Sequence, residues 1–187
     1  MKTYEEIREQ FDRARTQPAK PVVIGLMGYA RSGKDTVAEF LAHHGYERRA
    51  FADGVRSLAY LTDPSIAYLV DKRGWEGAKS SPSVRGTLQN LGVACREVFG
   101  EDVWVDLALR DLPRLTVVTD VRFPNEAAAI RAKGGVLWRV IRSGTGPVND
   151  HISETALDDT KPDVLIRNNG SLADLKAEVD RLVLDGA

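Results

Sequence analysis

The sequence has little of what defines several common protein classes. Its single cysteine, Cys95, can form no internal disulfide and cannot build a cysteine-only zinc site. No uncharged run, including Pro21 to Ala30, approaches the roughly 20 residues that a membrane-spanning helix needs. The formal net charge is −1, so no general positive field attracts nucleic acid. We therefore expect a cytoplasmic protein of a reducing compartment, with neither a nucleic-acid nor a membrane partner.

Strand and helix patterns alternate along the chain. Hydrophobic residues make up 43% and charged residues 28%, which suits one globular domain. Such alternation produces a parallel sheet with helices on both faces, so we expect an α/β fold with about five parallel strands. Helices are predicted over 125–133 and over 171–184, where Ser171 is the N-cap and Leu172, Leu175, Val179 and Leu182 share one face. Strands are predicted within 20–28, 46–51, 115–120, 135–141 and 163–168.

The spacing of these elements predicts the domain organisation. Residues 1–19 form an amphipathic helical arm, which could mediate a homodimer, and residues 20–187 form the domain itself. Within the domain, a helical insertion of about 53–112 follows the second predicted strand. A flap of about 142–162, rich in glycine and proline, separates the last two strands.

The segment "GYARSGKDT", Gly28 to Thr36, is a variant phosphate-binding loop. Gly28, Gly33 and Lys34 satisfy the pattern G-x-x-x-x-G-K-[ST], but a carboxylate, Asp35, stands where a hydroxyl is expected. A strand before the loop and a helix after it give the free backbone N–H groups and the positive helix end that bind phosphate. We expect Lys34 to reach the β- and γ-phosphates of a nucleotide.

Three side chains near this loop have two interpretations each. Asp35 is either a favourable charge in the first helical turn or part of a Mg²⁺ shell with the Thr36 hydroxyl. Asp120 closes an apolar strand, where a Mg²⁺ ligand or a base is often found, and Arg122 follows two residues later. Without the loop, Asp120 and Arg122 would be read as a surface pair; beside it, we favour a role in phosphoryl transfer.

The insertion carries candidate acceptor-binding residues. Arg85 and Gln89 stand four residues apart on one helix face, where a guanidinium suits a phosphate and an amide suits a base edge. Arg56 begins another helical stretch, and Trp104 is either a core residue or a platform for base stacking. His151 and Glu154 have no third His or Cys nearby in the sequence, so a zinc site is not expected.

Taken together, the motifs resemble the deoxynucleoside monophosphate kinases of tailed bacteriophages. Dephospho-coenzyme A kinases share the loop and a similar ending and are the nearest relatives with which the chain could be confused. The resemblance spans nearly everything from Val22 to Leu184, and members of the family also carry Asp then Thr after the loop lysine. It rests on "GYARSGKDT", "ADGVRSLAY", "LQNLG", "VWVDL", "VTDVRFPNE", "HISE" and "IRNNGSLADL".

The resemblance implies a P-loop NTPase fold and transfer of the γ-phosphoryl group of ATP, with Mg²⁺, to a deoxynucleoside 5′-monophosphate. It implies a cytoplasmic enzyme, in the host cell if a phage encodes it. Some relatives have Lys at the position of Ala30, and we expect Arg73 or Lys79 to replace that charge. The alternatives are a dephospho-coenzyme A kinase-like enzyme and a non-catalytic ATP switch. The motifs and the resemblance together indicate Gly28, Arg31, Ser32, Gly33, Lys34, Asp35, Thr36 and Asn168 for ATP, Arg56, Arg85, Gln89 and Trp104 for the acceptor, and Lys34, Asp120 and Arg122 for catalysis.

Overall fold

The computed structural model describes residues 23–147 and 155–186. The predicted N-terminal arm, together with His151 and Glu154 of the flap, lies outside these residues. The described residues fold into two compact units, the first formed by those up to Arg48 and from Arg114 onward, the second by Arg49–Pro113. The predicted insertion falls within the second unit.

A five-stranded sheet forms the centre of the first unit. The strands are β1 Val23–Met27, β2 Glu47–Arg49, β3 Thr116–Val118, β4 Val136–Ile141 and β5 Val164–Arg167. Their order in the sheet is β2-β3-β1-β4-β5, and β1 runs parallel to both β3 and β4, as β4 does to β5. In the register, Gly25 of β1 lies opposite Val118 and Leu137. The α/β prediction is therefore confirmed.

Helices cover both faces of this sheet. On one face α1 (Lys34–His43) packs against α7 (Leu172–Asp185). Their apolar side chains form a continuous core with Ile24, Leu26 and Trp138. On the other face α6 lies so close to β1 that a Cβ on Gly25 would stand 2.5 Å from Cδ1 of Ile130. The helices are α1 Lys34–His43, α2 Ala52–Thr62, α3 Pro64–Ala78, α4 Pro82–Phe99, α5 Val103–Ala108, α6 Pro124–Ala132 and α7 Leu172–Asp185.

The last helix follows its sequence pattern with one exception. Ser171 caps it, since its hydroxyl accepts a hydrogen bond from the Asp174 N–H at 3.2 Å. Leu175, Val179 and Leu182 are buried as predicted. Leu172 shares this face but is 65% exposed. It has the right angular position but is the first helical residue, and the buried stripe is completed by Val183 instead.

The second unit contains α2 to α5. Two small apolar clusters hold it together, one around Ile66 and Val84 and the other around Cys95 and Trp104. Helix α3 is interrupted at Gly74, whose φ of 65° and ψ of 172° are not helical. Over the described residues, no helix is both long and apolar enough to cross a membrane.

A charged cluster joins α1 to α7 and makes the stability of the first unit pH-dependent. Oδ1 of Asp180 lies 2.7 Å from Nε2 of His44, and Lys176 donates to Oδ2 at 2.6 Å. These hydrogen bonds, the one from Lys176 first, hold the pKa of Asp180 below its usual 3.8. A lowered carboxyl pKa stabilises the folded state above the unfolded pKa, and this contribution is lost as the pH falls through the folded pKa.

We therefore expect the Asp180→Asn protein to be less stable than wild type at neutral pH, and the difference to shrink below about pH 4. Urea unfolding at a series of pH values measures it. Asp159→Asn is the matched control, because no hydrogen bond of the Asp159 side chain occurs within the described residues. A difference that stays constant from neutral pH to pH 3 would contradict this coupling.

Candidate phosphate-binding site

The chain curls tightly between β1 and α1. Gly28, Arg31 and Gly33 all have positive φ, at 136°, 64° and 107°. A Cβ on Gly28 would stand 2.2 Å from the carbonyl oxygen of Val140, and one on Gly33 would stand 2.3 Å from Nδ2 of Asn168. Both motif glycines are therefore needed for backbone angle and for space. The segment Gly28–Thr36 has the strand–loop–helix context that the sequence predicted.

Lys34 folds back over this loop. Its Nζ donates to the carbonyl oxygens of Gly28 at 2.7 Å and Tyr29 at 2.8 Å. The ammonium thus stands above the loop that would surround a phosphate chain, which is the position needed for a charge that meets the β- and γ-phosphates.

Two asparagines after β5 hold the loop and the start of the flap. Asn168 donates through Nδ2 to the carbonyl of Ser32 at 2.8 Å, and Oδ1 of Asn169 accepts from the N–H of Ser143 at 2.7 Å. Ser32 is fully buried, and its hydroxyl has no hydrogen-bond partner in the described part of the chain. Both Asn168 and Ser32, predicted at the ATP site, therefore lie at the loop, where Asn168 orients the backbone.

A pocket opens beside the loop at the carboxyl ends of the strands, where parallel sheets bind their ligands. It brings together the predicted residues Gly28, Lys34 and Arg122, and Arg122 is exposed there. Ala30 also lines this pocket. Arg73 and Lys79, which were expected to replace a lysine at the position of Ala30, belong to the second unit. Lys79 forms an ion pair with Glu76 at 2.7 Å. The lining is Met27, Gly28, Tyr29, Ala30, Lys34, Val121, Arg122, Arg139, Ile141, Leu157 and Asp158.

The sequence did not single out Arg139. The signal was present, since an arginine interrupts the otherwise apolar run "GVLWRVI" of β4. A charged side chain in the middle of a buried parallel strand needs partners or a ligand. Arg139 lies in the wall of the pocket and donates to the main-chain oxygens of Leu157, Asp158 and Thr160.

The segment after β3 is held by a buried carboxylate that the sequence also did not single out. Glu126, 2% exposed, accepts hydrogen bonds from the backbone N–H groups of Arg122 at 2.7 Å and Phe123 at 3.0 Å. These bonds fix the turn that carries Asp120, which is partly buried, and Arg122. A glutamate three residues after a helix N-cap is the sequence signal for such a contact.

The residues named for Mg²⁺ supply hard oxygen atoms of the kind that this ion prefers. Asp35 is exposed in the first turn of α1, and Thr36 beside it is partly buried. Within residues 23–147 and 155–186, no three His, Cys, Asp or Glu side chains converge as a metal site. The residues present therefore suit an ion that takes one or two protein oxygens and most of its ligands from phosphates and water.

In the second unit, the acceptor candidates stand on two helices that pack together. Arg56 of α2 donates from Nη1 to Oδ1 of Asp53 at 3.0 Å, so a carboxylate already compensates its charge. Arg85 and Gln89 of α4 are exposed, as expected for side chains that meet a ligand or solvent.

Trp104 is a core residue, so the prediction that it contacts the acceptor directly is wrong in this geometry. Its side chain is 5% exposed, packs with Val55 and Cys95, and donates from Nε1 to the carbonyl of Gly92 at 3.0 Å. A ring stacked on a nucleotide base needs an uncovered face.

Trp104→Phe should therefore lower the free energy of unfolding by about 1–3 kcal/mol, because a hydrogen bond and part of the packing are lost. The KM for a nucleotide acceptor should stay at the wild-type value. Chemical denaturation and steady-state kinetics on the same preparation separate the two effects. A tenfold higher KM with unchanged stability would restore the stacking role.

Comparison with known proteins shows which kinases this chain is similar to. A family model described as deoxynucleotide monophosphate kinase matches residues 70–179, a segment that does not include the phosphate-binding loop. A protein of Acanthamoeba polyphaga mimivirus, provisionally named deoxynucleotide monophosphate kinase, is 28% identical over 84% of this chain and 94% of its own. The deoxynucleotide monophosphate kinase of Escherichia phage RB69 is 33% identical over 54% of this chain and 45% of its own. A dephospho-CoA kinase of Corynebacterium glutamicum is 24% identical over 87% of this chain and 96% of its own.

Proposed function

The chain belongs to the deoxynucleotide monophosphate kinase family, and we propose that Gly28–Thr36 binds the ATP phosphates and that the second unit binds the acceptor. The activity is ATP-dependent phosphorylation of deoxynucleoside monophosphates. The loop and the family match are independent, since the first ends at Thr36 and the second begins at Val70. The observation that carries the proposal is the pocket that Lys34 and Arg122 line together with the start of the loop.

The acceptor needs no strong base. The phosphate of a nucleoside monophosphate is already an anionic nucleophile at neutral pH, so catalysis consists of alignment and charge neutralisation. Lys34 would meet the β- and γ-phosphates, and Arg122, fixed by Glu126 through the backbone, would meet the transferred group. Asp120 would then offset part of the positive charge of Lys34 and Arg122 or act as a metal ligand.

For the donor, the loop residues Gly28, Arg31, Ser32, Gly33, Lys34, Asp35, Thr36 and Asn168 are proposed contacts or supports of ATP. Thr36 and Asp35 are the residues that would hold Mg²⁺. A bound Mg²⁺ would neutralise part of the charge that builds up on the transferred phosphoryl group. The negative charge of Asp35 is favoured in any case by the positive end of α1.

For the acceptor, Arg56, Arg85 and Gln89 are the proposed contacts. A guanidinium binds a phosphate through two parallel hydrogen bonds, and an amide matches a base edge. Arg56 would have to leave or share Asp53 to bind a phosphate. Which base is accepted depends on contacts worth only ~1–3 kcal/mol each.

The test is ADP release with ATP and Mg²⁺, measured against dGMP, dTMP, dCMP, dAMP, GMP and dephospho-coenzyme A in parallel. We expect stimulation by one or more deoxynucleotides, and a higher KM for that acceptor alone in Arg85→Gln. Arg110→Gln, another exposed arginine of the second unit, is the matched control. Stimulation by dephospho-coenzyme A only would favour that second candidate, which the Corynebacterium relative supports. If the protein bound ATP but no acceptor stimulated ADP release, the remaining candidate would be a non-catalytic nucleotide switch.

A homodimer mediated by residues 1–19 and a cytoplasmic location stay predictions. Sedimentation of the full chain against a chain that begins at Lys20 tests the first. The shorter chain should be monomeric if the arm forms the interface.

A further inference from the structure

Within the described part of the chain, the hydrogen bonds that anchor Arg139 in the pocket wall all go to main-chain oxygens. Arg139 extends from β4 and reaches the segment of residues 157–160. Nη1 donates to the carbonyl of Asp158 at 3.2 Å, and Nη2 donates to that of Thr160 at 2.9 Å and to that of Leu157. Three acceptors on one guanidinium fix both its plane and the segment that it holds.

These partners leave the positive charge of Arg139 in place. Carbonyl oxygens orient a guanidinium but carry no net charge, and no ion pair of Arg139 occurs within the described residues. The side chain of Asp158 makes a different contact, since its Oδ1 accepts a hydrogen bond from the Tyr29 hydroxyl at 3.0 Å. Nη1 has two hydrogens and gives one to Asp158, so it keeps an N–H for a ligand oxygen.

The pocket is therefore rich in positive charge. Lys34, Arg122 and Arg139 come from α1, the turn after β3, and β4. Among the described residues that line this pocket, Asp158 is the one carboxylate. Tyr29 of the phosphate-binding loop also joins the wall and is tied to Asp158. A site with this balance favours a ligand with several negative charges, such as a nucleotide phosphate.

We infer that Arg139 supplies a third positive charge to a phosphate group in this pocket and also positions residues 157–160 against the phosphate-binding loop through Asp158 and Tyr29. The inference rests on the proposed function, because it assumes that this loop binds nucleotide phosphates. Its two parts are separable, since a lysine keeps the charge but lacks the planar fork whose two nitrogens reach the three carbonyls.

The test compares Arg139→Gln and Arg139→Lys by calorimetric binding of inorganic tripolyphosphate at low and high salt, and by kinetics. Loss of a charge-assisted hydrogen bond corresponds to about 10- to 100-fold in affinity. We expect that loss in Arg139→Gln, together with a weaker salt dependence. Arg139→Lys should retain most of the affinity but have a lower kcat. Higher KM for ATP or for the deoxynucleotide in Arg139→Gln identifies which phosphate the residue meets.

Arg131→Gln is the matched control. Arg131 also donates to a carbonyl, that of Lys161 at 2.7 Å, but it lies outside the pocket lining. Wild-type affinity in Arg139→Gln would overturn the charge role, and equal kcat in Arg139→Lys and wild type would overturn the positioning role.

Tyr29→Phe keeps the test decisive if Arg139→Gln does not fold. It removes the hydroxyl that donates to Asp158, and we expect a severalfold lower kcat with unchanged tripolyphosphate affinity; a wild-type kcat would overturn the positioning role. Tripolyphosphate binding needs no acceptor and no turnover. Failure of the kinase assignment would therefore appear as a wild-type protein that binds this anion but phosphorylates no deoxynucleotide.

Discussion

Replacing Lys34 by Met should lower the kcat/KM for ATP at least about a hundredfold, as expected when a charged donor aimed at the transferred group is lost. Methionine keeps much of the length and apolar stem of lysine but removes the charge. The ammonium of Lys34 lies over the loop, bonded to the carbonyls of Gly28 and Tyr29. These hydrogen bonds show that the side chain already points along the loop rather than into solvent.

The measurement is steady-state kinetics with ATP varied at a saturating deoxynucleotide, with denaturation of the same protein as a check on folding. Lys133→Met removes an exposed lysine at the end of α6 and should behave as wild type. If Lys34→Met retained more than a third of the wild-type kcat/KM, this loop would not be the donor site.

Gly28→Ala should destabilise the protein by several kcal/mol and reduce ATP affinity more than tenfold. A side chain at φ 136° is strained, and its Cβ would meet the carbonyl oxygen of Val140 at 2.2 Å. That oxygen belongs to the main chain of β4, so relief requires movement of the loop or of the strand. Either movement displaces the backbone N–H groups that would bind phosphate.

Two further glycines separate the causes. Gly134→Ala has a positive φ of 74° but meets nothing within 4 Å, so it should cost only about 1–2 kcal/mol. Gly33→Ala would meet Nδ2 of Asn168, a side chain that can rotate away at the expense of its bond to Ser32. We expect Gly28→Ala to be the most harmful of the three in both urea unfolding and ATP titration. Equal stability of Gly28→Ala and Gly134→Ala would contradict the steric argument.

The sequence by itself determined the local elements and the loop. The five strands, the helix after the loop and the Ser171 cap follow from periodicity, from the glycine turn and from a side chain that bonds a backbone group three residues away. The loop can be recognised from the sequence because Gly28, Gly33 and Lys34 lie within nine consecutive residues. Family membership agrees with the motifs quoted from "VTDVRFPNE" to "IRNNGSLADL".

The tertiary structure alone decided which distant side chains complete the site. Tyr29 and Asp158 are 129 residues apart, and Asn168 is 136 residues from Ser32, yet both pairs are hydrogen-bonded. Such pairs have no signature in local periodicity, because they arise only when parallel strands bring their carboxyl ends to one edge of the sheet. For the same reason the sequence did not single out Arg139, and it left Trp104 with two interpretations, as a core residue or as a stacking platform. The tertiary structure places Arg139 in the wall of the pocket beside the loop and Trp104 in a core.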